Sequence, residues 1–181
     1  MKVIETELSG CFVLEPTLFE DERGYFMETF NQRLFESIIG TEIAFVQDNQ
    51  SYSKKGVVRA LHYQRGAHAQ AKLVRVLQGE VLDVAVDLRR DSATFGKHIA
   101  VLLSGENRKQ LFIPRGFAHG FVALTDHVDF FYKCDNFYSR EAEGGIIFND
   151  PTLKIDWKLP ESTLLVSEKD RLLPNFENAK L

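Results

Sequence analysis

The chain is short of sulfur: two cysteines, Cys11 and Cys134, and two methionines among 181 residues. Two cysteines so far apart make neither a disulfide framework nor a C-x-x-C motif, and they read as packing residues of a reducing compartment. Long apolar runs are absent, so no stretch approaches the roughly 18 residues of a membrane span. The start, Met1-Lys2-Val3-Ile4-Glu5-Thr6-Glu7, places acids where a signal peptide needs an apolar core. Together these features predict a cytoplasmic protein with no membrane partner. Runs of five like charges are also missing and the net charge is -4, which argues against a nucleic-acid surface. There is no internal repeat, no alternation of strands with helices, and no Gly-, Pro- or Ser-rich linker. The expectation is one domain over residues 1–181.

What is abundant is phenylalanine, 15 residues beside 5 tyrosines and a single tryptophan, a bias toward thick-cored β structure. Two short strands are expected early. One lies near Cys11–Leu14; the other is Tyr25–Phe30, entered through the turn Asp21-Glu22-Arg23-Gly24. On the second, Glu28 falls between Phe26 and Phe30 and either turns to solvent or has a partner. Asn31 as N-cap, the stripe Leu34, Phe35, Ile38, Ile39 and the stop Gly40 predict one short packing helix over 31–39. The polar run 47–51 reads as a loop or strand end. Lys72–Leu77, Gln78-Gly79-Glu80 and Val81–Leu88 read as strand, tight turn and strand, the pattern of a hairpin. Further strands are expected at 99–103, 110–113, 121–124 and 128–133, and a short one at 155–157. Ser167–Asp170 reads as a helix start or a polar turn. Turns every eight to twelve residues predict an all-β sandwich or barrel with a few short helices.

Within the strand Val57–Gln64, Arg59 and His62 interrupt an apolar run, where burial costs several kcal/mol unless the groups are paired. Strand parity sends Arg59 to one face and His62 to the other. His62 has the side chain suited to proton transfer near neutral pH. Lys72 opens another strand and supplies a cation; Tyr132 ends a third and supplies a phenol. A base, a cation and an acid suit proton abstraction beside a carbonyl, the cation holding the enolate oxygen. Of the other histidines, His98 and His127 read as surface groups and His68 as a loop residue.

The stretch Pro114-Arg115-Gly116-Phe117-Ala118-His119 resembles the P-x-G-x-x-H pattern of the cupin superfamily, which implies a jelly-roll barrel. In metal-binding cupins that histidine is one ligand, and others come from an H-x-H strand followed by a glutamate. Here the corresponding stretch is His62-Tyr63-Gln64, a ligand set too sparse for tight divalent binding. A metal-dependent cupin enzyme is therefore a competing class only.

A more extensive resemblance covers nearly the whole chain. Asp21–Gly24, Phe45–Asn49, Arg59–Gln64, Lys72–Arg75, Gly79–Val81, Asp83–Arg89, Thr94–Lys97, Ile113–Phe121 and Asn149–Pro151 together resemble the dTDP-4-dehydrorhamnose 3,5-epimerases. The resemblance implies a cupin-like jelly roll, no metal or other cofactor, a homodimer, and a dTDP-4-keto-6-deoxyhexose substrate. It implies that His62 is the proton acceptor oriented by Asp170, Tyr132 the proton donor, and Lys72 the cation near the C4 oxygen. It implies that Arg23, Glu28, Gln47, Asp48, Asn49, Arg59, His119, Glu143 and Lys169 line the nucleotide-sugar site, with Tyr138 stacked on the thymine. The chain departs from the family pattern at Ala60, often Gly, at Gln50, often His, and at Phe112, often Trp. These leave a single-site epimerase, at C3 or C5, as an alternative, and a non-catalytic sugar-nucleotide binding module as a third class.

Overall fold

The computed structural model describes residues 1–181. Fourteen strands follow in chain order. They are β1 (Lys2–Glu5), β2 (Phe12–Glu15), β3 (Phe19–Asp21), β4 (Gly24–Phe26), β5 (Gln47–Ser53), β6 (Val57–Gln64) and β7 (Lys72–Gln78). Then come β8 (Glu80–Asp87), β9 (His98–Ser104), β10 (Gln110–Ile113), β11 (Phe117–Ala123), β12 (Val128–Cys134), β13 (Glu143–Gly145) and β14 (Leu165–Val166). Helix α1 (Gln32–Ile39) lies between β4 and β5, and α2 (Glu168–Arg171) follows β14.

Two sheets face each other. The first runs β1-β2-β10-β7-β12-β5; the second runs β13-β6-β11-β8-β9, with β14 parallel to β6. Their facing sides form the inner core, where Val74, Val76, Leu111, Ile113 and Phe130 meet Val81, Ala85, Leu103, Phe117 and Phe121. The outer side of the second sheet is buried as well. Leu82, Val84, Val86 and Val122 pack under Ile146, Phe148, Leu153, Trp157 and Leu164 of the C-terminal segment. On the outer side of the first sheet, Phe12, Leu14, Leu73 and Phe112 are covered by Phe35 of α1. This is the jelly-roll sandwich expected, closed on one flank by α1 and on the other by the C-terminal segment.

Helix α1 follows its sequence signals. The Asn31 side chain accepts from the Leu34 N–H at 3.2 Å, and Gly40 caps the other end at φ 72°. Several strand expectations need correction. Val3 and Ile4 of β1 sit at a partly exposed edge, too short a pattern to read. Tyr25–Phe30 is a strand only to Phe26, paired with β3 in an exposed two-stranded hairpin. Residues 47–51 are not a loop: β5 pairs with β12 over its whole length. Residues 155–157 form no strand, because Trp157 anchors instead by donating its Nε1–H to the Phe148 carbonyl at 2.8 Å. β7 and β8 are not a hairpin either. β7 pairs with β10 and β12, whereas β8 pairs with β9 and β11, so the turn at Gly79 carries the chain from one sheet to the other. Gly79 takes φ 80°, and a Cβ there would lie 2.1 Å from the His127 carbonyl oxygen.

Candidate active site

The parity conflict in β6 is resolved by a bulge. Along β11 two steps separate His119 from Phe121, while along β6 three steps separate their partners His62 and Arg59. The extra residue turns the strand, so Ala60 and Leu61 are both buried and Arg59 and His62 open into one cavity. Opposite the bulge stands Gly120, where a Cβ would lie 2.5 Å from the Ala60 Cβ and 2.8 Å from the Arg59 carbonyl oxygen. Only glycine lets β11 pass that close.

The cavity has a volume of about 580 Å³ and opens at one end of the sandwich. Its walls carry His62 from β6, Lys72 from β7, His119 from β11, Tyr132 from β12, Asn49 from β5 and Glu143 from β13. Tyr138 comes from the loop after β12; Lys169 and Asp170 come from α2. The stacked rings of Phe121 and Phe130, 4.3 Å apart, add an apolar floor.

His62 Nε2 lies 2.8 Å from Asp170 Oδ1, across 108 residues of sequence. Asp170 is buried, and the Ser167 hydroxyl oxygen accepts from its backbone N–H at 3.1 Å, which fixes the one-turn helix α2. A carboxylate that takes the Nε2–H leaves Nδ1 of the neutral ring as the lone pair, the tautomer a general base requires.

Lys72 and Tyr132 make no hydrogen bond to another side chain. The Lys72 ammonium sits 5.8 Å over the Tyr132 ring. Burial lowers the lysine below its ordinary range, with Cys134 and Asp83 acting in the other direction. Burial raises the Tyr132 phenol, Cys134 adds to the rise and Arg59 opposes it. Both groups are therefore desolvated on the cavity wall.

His119 is buried, and its Nε2 lies 3.0 Å from each carboxylate oxygen of Asp83. Burial lowers this histidine, while the Asp83 carboxylate raises it. It stands where metal-binding cupins present a ligand, but no three His, Cys, Asp or Glu side chains gather to hold an ion. The donor set does not fit a metal-dependent cupin.

At the rim, Lys169 donates to Glu143 at 2.7 Å and the Tyr138 hydroxyl donates to the same carboxylate at 3.0 Å. Burial alone would raise Glu143, but these two bonds hold it below the usual range. Arg59 is braced by the Ser53 hydroxyl at 3.2 Å and the Tyr52 carbonyl at 3.1 Å.

Four expected residues lie off the cavity wall. Gln47 stands just behind it, accepting from the Tyr138 N–H at 3.1 Å and donating to Asn49 at 3.1 Å. Asp48 faces the outside of the first sheet, paired with Lys133 at 2.9 Å. Glu28 is exposed and accepts from Asn31 at 3.2 Å. Arg23 lies on the β3–β4 turn, 85% exposed and paired with Asp21 at 2.6 Å. Sequence reasoning missed the partnership of Asp83 with His119, whose only signal was an acid recurring inside a strand with no polar face. It also missed the Phe121–Phe130 floor.

A jelly-roll barrel with a His–Asp pair, a desolvated lysine and a desolvated tyrosine at its mouth defines a cupin-type acid–base enzyme. The profile of dTDP-4-dehydrorhamnose 3,5-epimerase matches residues 5–178. The chain is 51% identical to the dTDP-4-dehydrorhamnose 3,5-epimerase of Salmonella typhimurium, covering 100% of this chain and 98% of the relative. The crystal structure of a dTDP-6-deoxy-D-glucose-3,5-epimerase from Legionella pneumophila, in complex with dTDP-4-keto-L-rhamnose, superposes with a TM-score of 0.93 at 47% identity. That match covers 98% of this chain and 93% of the other. A 3'-monoepimerase from Streptomyces bikiniensis, in complex with dTDP-quinovose, has a TM-score of 0.87 at 30% identity, covering 94% and 85%. The chain belongs to the dTDP-4-dehydrorhamnose 3,5-epimerase family.

Proposed function

We propose that this chain epimerises dTDP-4-dehydro-6-deoxy-D-glucose at C3 and C5, giving dTDP-4-dehydro-L-rhamnose. The observation that carries the chemistry is the His62–Asp170 pair at 2.8 Å, in one cavity with Lys72 and Tyr132. The C4 ketone acidifies the protons on its two neighbouring carbons. Nδ1 of His62 takes one of them, and Asp170 steadies the imidazolium that forms. Lys72 holds the enolate oxygen as negative charge moves onto it. Tyr132 returns a proton to carbon from the other side, inverting the centre. Its raised pKa keeps the phenol protonated until that step. His119, tied to Asp83 through Nε2, borders the same cavity beside Lys72.

Both carbons flank the same ketone, so one base and one cation serve them in turn. The higher identity to 3,5-epimerases than to the monoepimerase supports reaction at both. In deuterated water the product gains deuterium at C3 and C5. Label at C3 alone would reassign the chain as a monoepimerase, and no label with bound substrate would make it a binding module.

The reading includes a homodimer in the cytoplasm. Arg23 and Glu28 stand off their own cavity, next to the exposed Phe19, Tyr25 and Phe26 of the β3–β4 hairpin. An arm carrying the exposed rings of Phe19 and Phe26 fits a neighbouring subunit, where Arg23 would meet the substrate's diphosphate. Mixing inactive His62→Ala and Arg23→Ala chains tests this. If the arm crosses, one of the two sites in each mixed dimer is intact and activity returns. If it stays home, the mixture is no better than its parts.

A further inference from the structure

A second cavity, of about 570 Å³, lies behind β13, between the β6 end and the C-terminal tail. Arg65, Arg140, Lys169 and Lys180 line it, and Glu143 is the one carboxylate among them. Four cations around one hollow stand out in a chain of net charge -4. Their mutual repulsion disfavours the empty arrangement, and a bound anion relieves it.

Two of the four cations, Arg65 and Lys169, are anchored through their side chains. Arg65 donates Nη2–H to the Glu141 carbonyl at 3.0 Å and Nε–H to the Ala142 carbonyl at 3.4 Å, which fixes the plane of its guanidinium. Lys180 is fixed through its backbone, since its carbonyl accepts the Tyr63 hydroxyl at 2.9 Å. Lys169 is tied to Glu143, the residue that also holds Tyr138. Two arginines and two lysines around one hollow supply the donor types that phosphate oxygens accept.

We propose that this cavity is a binding site for a phosphate-bearing anion of diphosphate size, separate from the catalytic cavity. The two hollows share the wall formed by His62, Tyr63, Glu143 and Lys169. An anion on the far side competes with Glu143 for the Lys169 ammonium. It thereby loosens the brace on Tyr138, which couples the site to nucleotide binding at the rim. The site stands on its own geometry and does not depend on the epimerase assignment.

Two sources offer the same chemistry: a free anion and the diphosphate of the nucleotide itself. Calorimetric titration with inorganic diphosphate separates them when run with and without saturating thymidine diphosphate. The expected result is one diphosphate bound per chain under saturating thymidine diphosphate, when the catalytic cavity is filled. Arg140→Gln with Lys180→Gln, both exposed side chains, should weaken it at least tenfold and leave turnover unchanged. Binding that disappears under saturating thymidine diphosphate would place the anion in the catalytic cavity and overturn the proposal. So would equal affinity in the double variant, or no binding at millimolar diphosphate.

Discussion

Two aspartates on β8 sit four residues apart on the same inward face, and both are fully buried. Asp87 is saturated. Arg89 donates to both of its oxygens at 2.9 and 2.8 Å, and the Ser92 and Thr94 hydroxyls donate at 2.6 and 2.7 Å. Burial opposes ionisation there, but these donors win and hold the carboxyl far below its usual range. Arg89 is in turn clamped over the Phe117 ring at 4.6 Å and bonded to the Ser9 carbonyl at 2.9 Å. Asp83 has one side-chain partner, His119, which itself titrates. The strand thus carries a carboxylate that closes the barrel at one end and one that tunes chemistry at the other. Burial alone does not separate a structural acid from a functional one. The number and fixity of its donors do.

The largest expected effect falls at the open end. His62→Ala removes the proposed base and should lower turnover by about 10²–10⁴, the usual worth of a general base. The fold should persist with a lowered melting temperature, because His62 is 31% exposed while the buried Asp170 loses its partner. A variant that keeps its rate would remove His62 from the mechanism; one that unfolds would make the open end structural after all.

At the closed end the expected pattern is the reverse. Asp87→Ala strips the counter-charge from Arg89 and the acceptor from Ser92 and Thr94. Breaking such a buried set costs roughly 3–5 kcal/mol of stability. Activity per folded molecule should be unchanged. The pH dependence has a definite sign. Asp87 is more acidic folded than unfolded, so its contribution is complete above the unfolded carboxyl range, near pH ~4, and is lost as the pH falls below it. Denaturant midpoints measured from pH 6 down to pH 3 should therefore fall more steeply for wild type than for Asp87→Asn. Parallel curves would show that Asp87 contributes no pH-dependent stability.

Why some of this was readable beforehand, and some was not, follows from the same local physics. Helix α1 was legible because Asn31 and Gly40 cap it through contacts with their own neighbours. The polar strand β5 was not, because Gln47, Asn49 and Ser51 alternate with Asp48, Gln50 and Tyr52, and none of these is apolar enough to mark a face. Its pairing with β12 comes from 80 residues away. Parity wrongly separated Arg59 from His62, since a bulge depends on the facing strand, here on Gly120. The crossing of β7 into β8 looked like a hairpin because turn chemistry at Gly79 is the same whether or not the arms pair. The family itself was legible in ordered motifs across the chain. Which of the expected site residues share one cavity was a matter of the fold, and Arg23, Glu28 and Asp48 stand apart from it.

The smallest effect is the one that tests the comparison most directly. Asp83→Asn keeps shape and burial but removes a charge. Asp83 raises both Lys72 and His119, so its loss should let each give up its proton at lower pH. In the proposed mechanism Lys72 holds the enolate oxygen as a cation, and an uncharged amine is a far poorer partner. The basic limb of the kcat/KM profile should therefore move to lower pH, with turnover near neutral pH down about tenfold, in the range of one perturbed polar contact. A merely structural aspartate would change stability without moving that limb. If Asp83→Asn melts early and keeps the wild-type pH profile, the two aspartates of β8 do the same job, and the distinction drawn from their donors fails.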